Sequence, residues 1–160
     1  MNLLDEFSKR IVVLGHRNWV IVADAAYPEQ CAPGIELVAI DGSHLAVVSS
    51  VAKALDIAPH IRAVACLDAE LNFLRDQDIP EVEDLRRDMR SALAPMEIEE
   101  APHEEIIANI SEAASLYKVL VIKTSCLIPY TSVFFRLECG YWDEDHERTL
   151  KARMETWWQQ

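Results

Sequence analysis

The feature that most constrains the fold is a run of five consecutive apolar residues, Trp19–Ala23. Three of the five are β-branched, which favours an extended strand over a helix. A strand with apolar side chains at both odd and even positions offers no face to water, so it must be covered on both sides. Such strands are typical of parallel sheets, and the run predicts an α/β layer architecture.

Other segments alternate between strand and helix patterns along the chain. Strands are predicted at residues 35–40, 61–67, 118–123 and 133–137, and helices at residues 3–14, 43–55, 80–93 and from Pro102 onward. This alternation predicts a single-domain layered sheet with flanking helices over residues 1–142.

The last eighteen residues, 143–160, have a different pattern. Leu150, Met154 and the pair Trp157 and Trp158 recur at helical spacing, which predicts a C-terminal amphipathic helical extension. This helix either packs back on its own domain or forms a subunit contact, since tryptophan is enriched at interfaces.

Composition narrows the class of partner. The 160 residues include 15 Lys and Arg against 27 Asp and Glu, a net charge of −12, whereas nucleic acids and anionic membranes need clustered basic residues. No stretch approaches the roughly 20 apolar residues of a membrane span, and the first residues lack the basic segment of a secretory signal. We therefore expect a cytoplasmic protein with four reduced cysteines, and we expect neither a nucleic acid nor a membrane as partner.

Two residues near the first strand are candidates for chemistry. His16 lies just before the strand, and histidine titrates near neutral pH. Asp24 follows the strand directly, where ligands bind in open α/β sheets. The alternative for Asp24 is a turn or helix cap before Tyr27 and Pro28. The other candidates are His103, in the first turn of a helix or simply exposed, and Tyr130, in the polar loop at residues 124–132 or packed there as a lid.

Sequence motifs for several enzyme classes are missing. The chain contains no glycine-rich dinucleotide or nucleotide fingerprint, no H-E-x-x-H and no G-x-S-x-G. Only Lys123 near Cys126 could lower a thiol pKa, so Cys126 is rejected as a nucleophile. His44, His60 and His146 have no constellation around them and receive no role.

An ordered set of motifs, spread over residues 3–141, resembles the ribose pyranase and fucose mutarotase family. In this chain, Gly15 and His16, followed by Asp24 and the pair Tyr27 and Pro28, resemble the opening motif of the family. Its later segments resemble residues 78–83, 102–105 and 121–124, and the pair Pro129 and Tyr130. The chain differs in carrying Asn18, Cys126 and Ser132 where the family has an acidic residue, a glutamate and an asparagine.

The resemblance implies a metal-free and cofactor-free isomerase of a free monosaccharide, assembled into a ring-like homo-oligomer such as a decamer with sites at or near subunit contacts. It assigns catalysis to His16 and Asp24, which are expected to converge on one cavity. It assigns substrate binding to His103, Tyr130, Ser132 and Asn18. Two alternatives remain open: a sugar-binding or regulatory homologue without catalysis, and a pure assembly protein.

Overall fold

The computed structural model describes residues 3–160. Residues 1 and 2 lie outside the described residues, and the expectation about a secretory signal begins with them. The side chains of Leu3 and Leu4, predicted on the apolar face of the first helix, also lie outside what the structure describes. The helices are α1 Leu3–Ile11, α2 His44–Asp56, α3 Val82–Leu93, α4 His103–Ala114 and α5 Glu144–Trp158, with a short 3₁₀ helix at Ala69–Phe73. The strands are β1 Trp19–Ala23, β2 Ile35–Ala39, β3 Ile61–Asp68, β4 Ile98–Ala101, β5 Val119–Lys123 and β6 Val133–Cys139.

The strands form one six-stranded sheet in the order β2-β5-β1-β6-β3-β4. The pairs β2–β5, β1–β5 and β3–β4 are parallel, whereas β6 is antiparallel to both of its neighbours, β1 and β3. Five strands therefore run one way and β6 runs back between them. The predicted α/β layer fold is confirmed, with a mixed sheet in place of a purely parallel one.

The apolar run behaves as its pattern predicts, because all five residues of β1 are buried. Side chains alternate across a strand, so Val20 and Val22 join the core layer under α1, α2 and α3. Ile21 and Ala23 join the layer under α4 on the other face. β1 is thus the central strand on which both cores rest.

Two elements of the structure differ from the prediction. The first helix was predicted to reach Leu14, but α1 ends at Ile11, where the amides of Val13 and Leu14 bond carbonyls three residues back and tighten the chain into a turn. The short edge strand β4 was not predicted, because its central Glu99 and Glu100 interrupt any apolar pattern.

The C-terminal helix α5 is confirmed, and it begins with the Asp143 carboxylate accepting a hydrogen bond from the amide of His146. In the described chain it contributes no buried residue. The interpretation that α5 packs back on its own domain is therefore wrong, and the subunit contact stays a prediction.

Candidate functional site

Polar residues from five elements meet at one edge of the sheet. This is the edge at which the parallel strands end and the antiparallel β6 begins. Asp24 follows β1, Asp68 ends β3, His103 follows β4, Thr124 follows β5, and Ser132 precedes β6. The topology therefore brings together residues up to 108 positions apart in the sequence, as the Asp24–Ser132 pair shows.

The Asp24 carboxylate is held in place by Ser132. The Ser132 hydroxyl donates to Asp24 Oδ1 at 2.7 Å, and the Asp24 backbone N–H donates to Ser132 Oγ at 3.1 Å. Ser132 is only 2% exposed, whereas Asp24 is half-buried and lines the cleft described below. Ser132 thus orients Asp24 from behind and does not itself face the cleft as the sequence led us to expect.

His103 forms a pair with the buried Asp68. The two side chains are joined by a 3.0 Å hydrogen bond between His103 Nδ1 and Asp68 Oδ1. The backbone N–H of His103 donates to both carboxylate oxygens of Glu70, at 3.0 and 3.1 Å. Burial raises the pKa of Asp68 to about 6, against the opposing effect of the hydrogen bond from His103. The pair therefore joins an imidazole to a buried carboxyl group whose pKa is raised toward neutral pH.

Tyr130 covers one side of this pair. Its backbone is left-handed, with φ of 59°, and its ring meets the His103 ring edge-on at a centroid distance of 5.8 Å. Tyr130 is 38% exposed and lines the cleft described below.

The loop that carries Tyr130 is fixed from below by His44, to which the sequence had given no role. Burial lowers the pKa of His44, which favours the neutral imidazole. In that form Nε2–H donates to the Thr131 carbonyl at 2.7 Å, and the Thr124 hydroxyl lies between His44 Nδ1 at 2.8 Å and the Ala23 carbonyl at 2.9 Å. His44 lies at the start of α2 and is eighty positions away from Thr124, so no local signal could have indicated this contact.

Between these residues lies an open cleft of about 280 Å³. Its volume is near the lower end of small-molecule sites, roughly 300–1,000 Å³. Ten residues line it: Asp24, Ala26, Tyr27, Pro28, Gln30, Asp68, His103, Ile107, Pro129 and Tyr130. Within residues 3–160 no Lys or Arg belongs to this lining, so the cleft suits an uncharged polyol better than a phosphorylated or acidic ligand.

His16 and Asn18 lie at the opposite end of β1. The five residues of β1, at about 3.3 Å each, separate the two ends by about 16 Å. His16 is half-exposed, lies 3.4 Å from a carboxylate oxygen of Glu138, and lines a different cleft. The expected convergence of His16 and Asp24 on one cavity does not occur within a single chain, because the intervening residues are fully extended.

The Asn18 amide is used within the fold. Its Oδ1 accepts from the backbone N–H of Gly15 at 2.8 Å, and its Nδ2 donates to the Lys118 carbonyl at 3.1 Å. These bonds fix the turn before β1, at the opposite end of that strand from the Asp24 cleft.

The part of the chain from residue 3 onward contains no group of three or more His, Cys, Asp or Glu side chains arranged to hold a metal ion. Over the same residues, none of the helices combines the length and apolar character required to cross a membrane.

Comparisons with known proteins establish the class of fold. No protein-family model matches the chain, and no curated protein matches it by sequence. Among solved structures, it is similar to Bacillus subtilis RbsD complexed with D-ribose, with 19% identity, a TM-score of 0.60, and 89% of this chain and 96% of RbsD covered.

Two further structures share the architecture. One is the fucose mutarotase of Streptococcus pneumoniae in complex with L-fucose, with 17% identity and a TM-score of 0.53 over 86% of this chain and 93% of that one. The other is FucU from Bifidobacterium longum, with 14% identity and a TM-score of 0.50 over 89% and 100%. The resemblance to the ribose pyranase and fucose mutarotase family is thereby confirmed at the level of the fold.

Proposed function

We propose that this protein is a monosaccharide isomerase that interconverts ring forms or anomers of a free aldose, ribose-like or fucose-like. The observation that supports this most directly is the meeting of Asp24, His103 and Tyr130 in one small cleft without a cationic side chain among its described lining residues. The fold shared with structures that hold D-ribose and L-fucose adds support. As part of this proposal the protein acts in the cytoplasm and needs neither metal nor cofactor.

Opening and closing of a sugar ring requires proton transfer by an acid group and a base group. A base takes the proton of the anomeric hydroxyl while an acid protonates the ring oxygen, and the bond between the anomeric carbon and the ring oxygen breaks to give the open aldehyde. Rotation and reclosure by the reverse steps complete the exchange, with no net gain or loss of protons. Positioned acid and base groups typically contribute about 10²–10⁴-fold to such steps.

The residues of the cleft can divide this work. The carboxylate of Asp24, oriented by Ser132, can accept hydrogen bonds from sugar hydroxyls. The Tyr130 hydroxyl can donate to the sugar, and the His103 ring is within the same cleft to exchange a proton. In this proposal Asp24 and His103 contact the reacting end of the sugar.

His16 can take part only if another copy of the chain supplies it. It is half-exposed at the opposite end of β1 from the Asp24 cleft, so no movement of the side chain alone can bring it there. We therefore propose a homo-oligomer in which His16 of one copy completes the cleft of the next as the second proton-transfer group. Asn18, which fixes the turn after His16, supports it indirectly.

Exchange NMR on a panel of aldoses that includes ribose and fucose tests the activity. We expect the protein to accelerate anomer or ring-form exchange above the buffer rate, and His103→Ala to lose that acceleration. His146→Ala, a change of another histidine on the exposed helix α5, serves as the matched control and should leave the rate unchanged. If no common aldose exchanges faster than in buffer, the proposal is wrong.

Mixing two inactive variants tests the shared site. In a closed ring each interface is equivalent, so random mixing of His16→Ala and His103→Ala chains should restore about a quarter of the sites. A site contained within one chain would regain nothing from this mixture. A monomeric protein that is fully active would also contradict the contribution of His16 from a second copy.

A second function is favoured by one specific observation. Each chain carries Asp24, His103 and Tyr130 in one cleft, whereas His16 lines a different one. A protein that binds a monosaccharide without accelerating exchange would be a sugar-binding or regulatory protein. Calorimetric titration with the same aldoses, run beside the NMR measurement, separates the two functions.

A further inference from the structure

Asp68 is a buried carboxyl group at the end of β3, beside the cleft. Its side chain is 1% exposed, and its Oδ2 has no hydrogen-bond partner among the described residues. A buried carboxylate with an unpartnered oxygen costs stability, since the fold gives up the water that would otherwise solvate it. Such a group beside a cleft is typical of a functional site.

The contacts of His103 leave its ring little freedom. Its backbone N–H is held by Glu70, and its ring meets the edges of Tyr130 and Phe134 at centroid distances of 5.8 and 6.4 Å. The Asp68 carboxylate can only accept a hydrogen bond, so His103 Nδ1 carries the proton of the 3.0 Å bond between them. In the neutral ring, Nε2, the nitrogen that does not contact Asp68, then carries a free lone pair.

We propose that Asp68 is the positioning residue that fixes His103 in this tautomer and stabilises the imidazolium ion that forms when Nε2 takes a proton from the sugar. The part that concerns turnover rests on the proposed isomerase function. In that step the anomeric O–H bond breaks, its proton moves to Nε2, and its electron pair forms the carbonyl as the ring C–O bond opens. The ring oxygen takes a proton from the second proton-transfer group. When the ring closes, the attacking hydroxyl returns that proton to the same group, and Nε2 returns its own proton to the anomeric oxygen.

The surroundings of Asp68 set the expected pH dependence. The titratable groups that face it are His103 from α4, Glu70 from the 3₁₀ helix, Asp24 after β1, and Tyr27 in the following loop. The pKa of Asp68 is raised to about 6, so the carboxyl group becomes neutral as the pH falls through that value. A neutral carboxyl no longer stabilises the imidazolium, and the exchange rate should decline on the acidic side.

The first measurement needs no variant. Long-range ¹H–¹⁵N spectra of protein labelled at histidine report which ring nitrogen carries the proton, and the loss of a signal in His103→Ala assigns the ring. We expect His103 to be protonated at Nδ1 and unprotonated at Nε2 above pH 7. The opposite tautomer would overturn the proposal, whether or not the protein turns over a sugar.

Asp68→Asn then tests the consequence for catalysis. We expect a mixture of tautomers at His103, a fall in kcat of about 10- to 100-fold, a KM changed by less than about threefold, and an altered acidic side of the pH profile. Asp84→Asn makes the same chemical change at an exposed ion pair on α3 and should match the unmodified protein. In the His103→Ala background, Asp68→Asn should cost nothing further.

The outcomes separate this proposal from the function on which it rests. If no aldose exchanges but the Nδ1-protonated tautomer is present and lost in Asp68→Asn, the isomerase function fails and the positioning role of Asp68 stands. If exchange occurs and Asp68→Asn leaves the tautomer, the rate and the pH profile unchanged, the role of Asp68 is refuted and the function stands.

Discussion

The buried Asp68 makes a quantitative prediction about stability. Its pKa rises from 3.8 to about 6 on folding, chiefly through burial. One pKa unit is worth about 1.4 kcal/mol, so the ionised group costs the folded state about 3 kcal/mol at neutral pH. Asp68→Asn removes this charge but places an amide N–H beside no acceptor, which costs about 1–2 kcal/mol. We therefore expect the variant to be about 1–2 kcal/mol more stable at pH 7.

The sign of the effect follows from proton binding. The folded pKa lies above the unfolded one, so the folded protein holds its proton more tightly between pH 4 and pH 6. The contribution of Asp68 to the stability of the unmodified protein is greatest below pH 4 and is lost as the pH rises through about 6. Asp68→Asn has no such dependence, so its advantage should shrink by about 2 kcal/mol or more between pH 7 and pH 4.

Urea unfolding followed by far-ultraviolet circular dichroism at pH 7 and pH 4 measures this difference. Comparison of the two proteins at each pH cancels the contributions of the titrating groups that do not interact with Asp68. A gap between the proteins that is equal at the two pH values would refute the reasoning. So would a variant that is less stable at pH 7, since it would mean that Asp68 stabilises the fold.

Three further substitutions test other parts of the fold and site. Gly34→Ala places a Cβ against two backbone carbonyls and should cost about 1–3 kcal/mol or more in urea unfolding, whereas Gly15→Ala, whose Cβ meets nothing within 4 Å, should stay within about 0.5 kcal/mol. His44→Ala leaves the buried Thr131 carbonyl without this partner and should cost at least about 1 kcal/mol; a smaller loss in a thermal or urea melt would contradict its role in holding the loop. Ser132→Ala removes the donor that orients Asp24 and should lower kcat/KM for sugar exchange about 10-fold, and an unchanged value would argue against that contact.

Local patterns predicted the elements of the fold better than their directions. The apolar run at Trp19–Ala23 correctly indicated a strand covered on both faces, because burial on two sides leaves a direct mark on composition. The antiparallel course of β6 leaves no such mark, since a buried strand has the same apolar residues whichever way it runs. The edge strand β4 was missed because its exposed glutamates give no alternation of the usual kind.

Some residues of the candidate site could be predicted from the sequence and others could not. Asp24 could be predicted, since a carboxylate directly after a buried strand lies where ligands bind. Asp68 could not, because its partner His103 is 35 positions away and the two meet only where β4 lies beside β3. His16 and Asp24 are close in sequence, yet an extended strand carries them to opposite ends of the sheet.

Because α5 is exposed to solvent, tryptophan fluorescence does not report the unfolding of the whole protein evenly. Trp142, Trp157 and Trp158 are 43%, 63% and 69% exposed, and Trp19 is the one tryptophan within the core, at 5%. An isolated helix of this length is marginal in water, so we expect the tail of a single chain to unravel before the sheet does. Indole emission would then register mostly the fraying of the tail, and replacing Trp142, Trp157 and Trp158 with phenylalanine would leave Trp19 as an optical probe of the sheet alone.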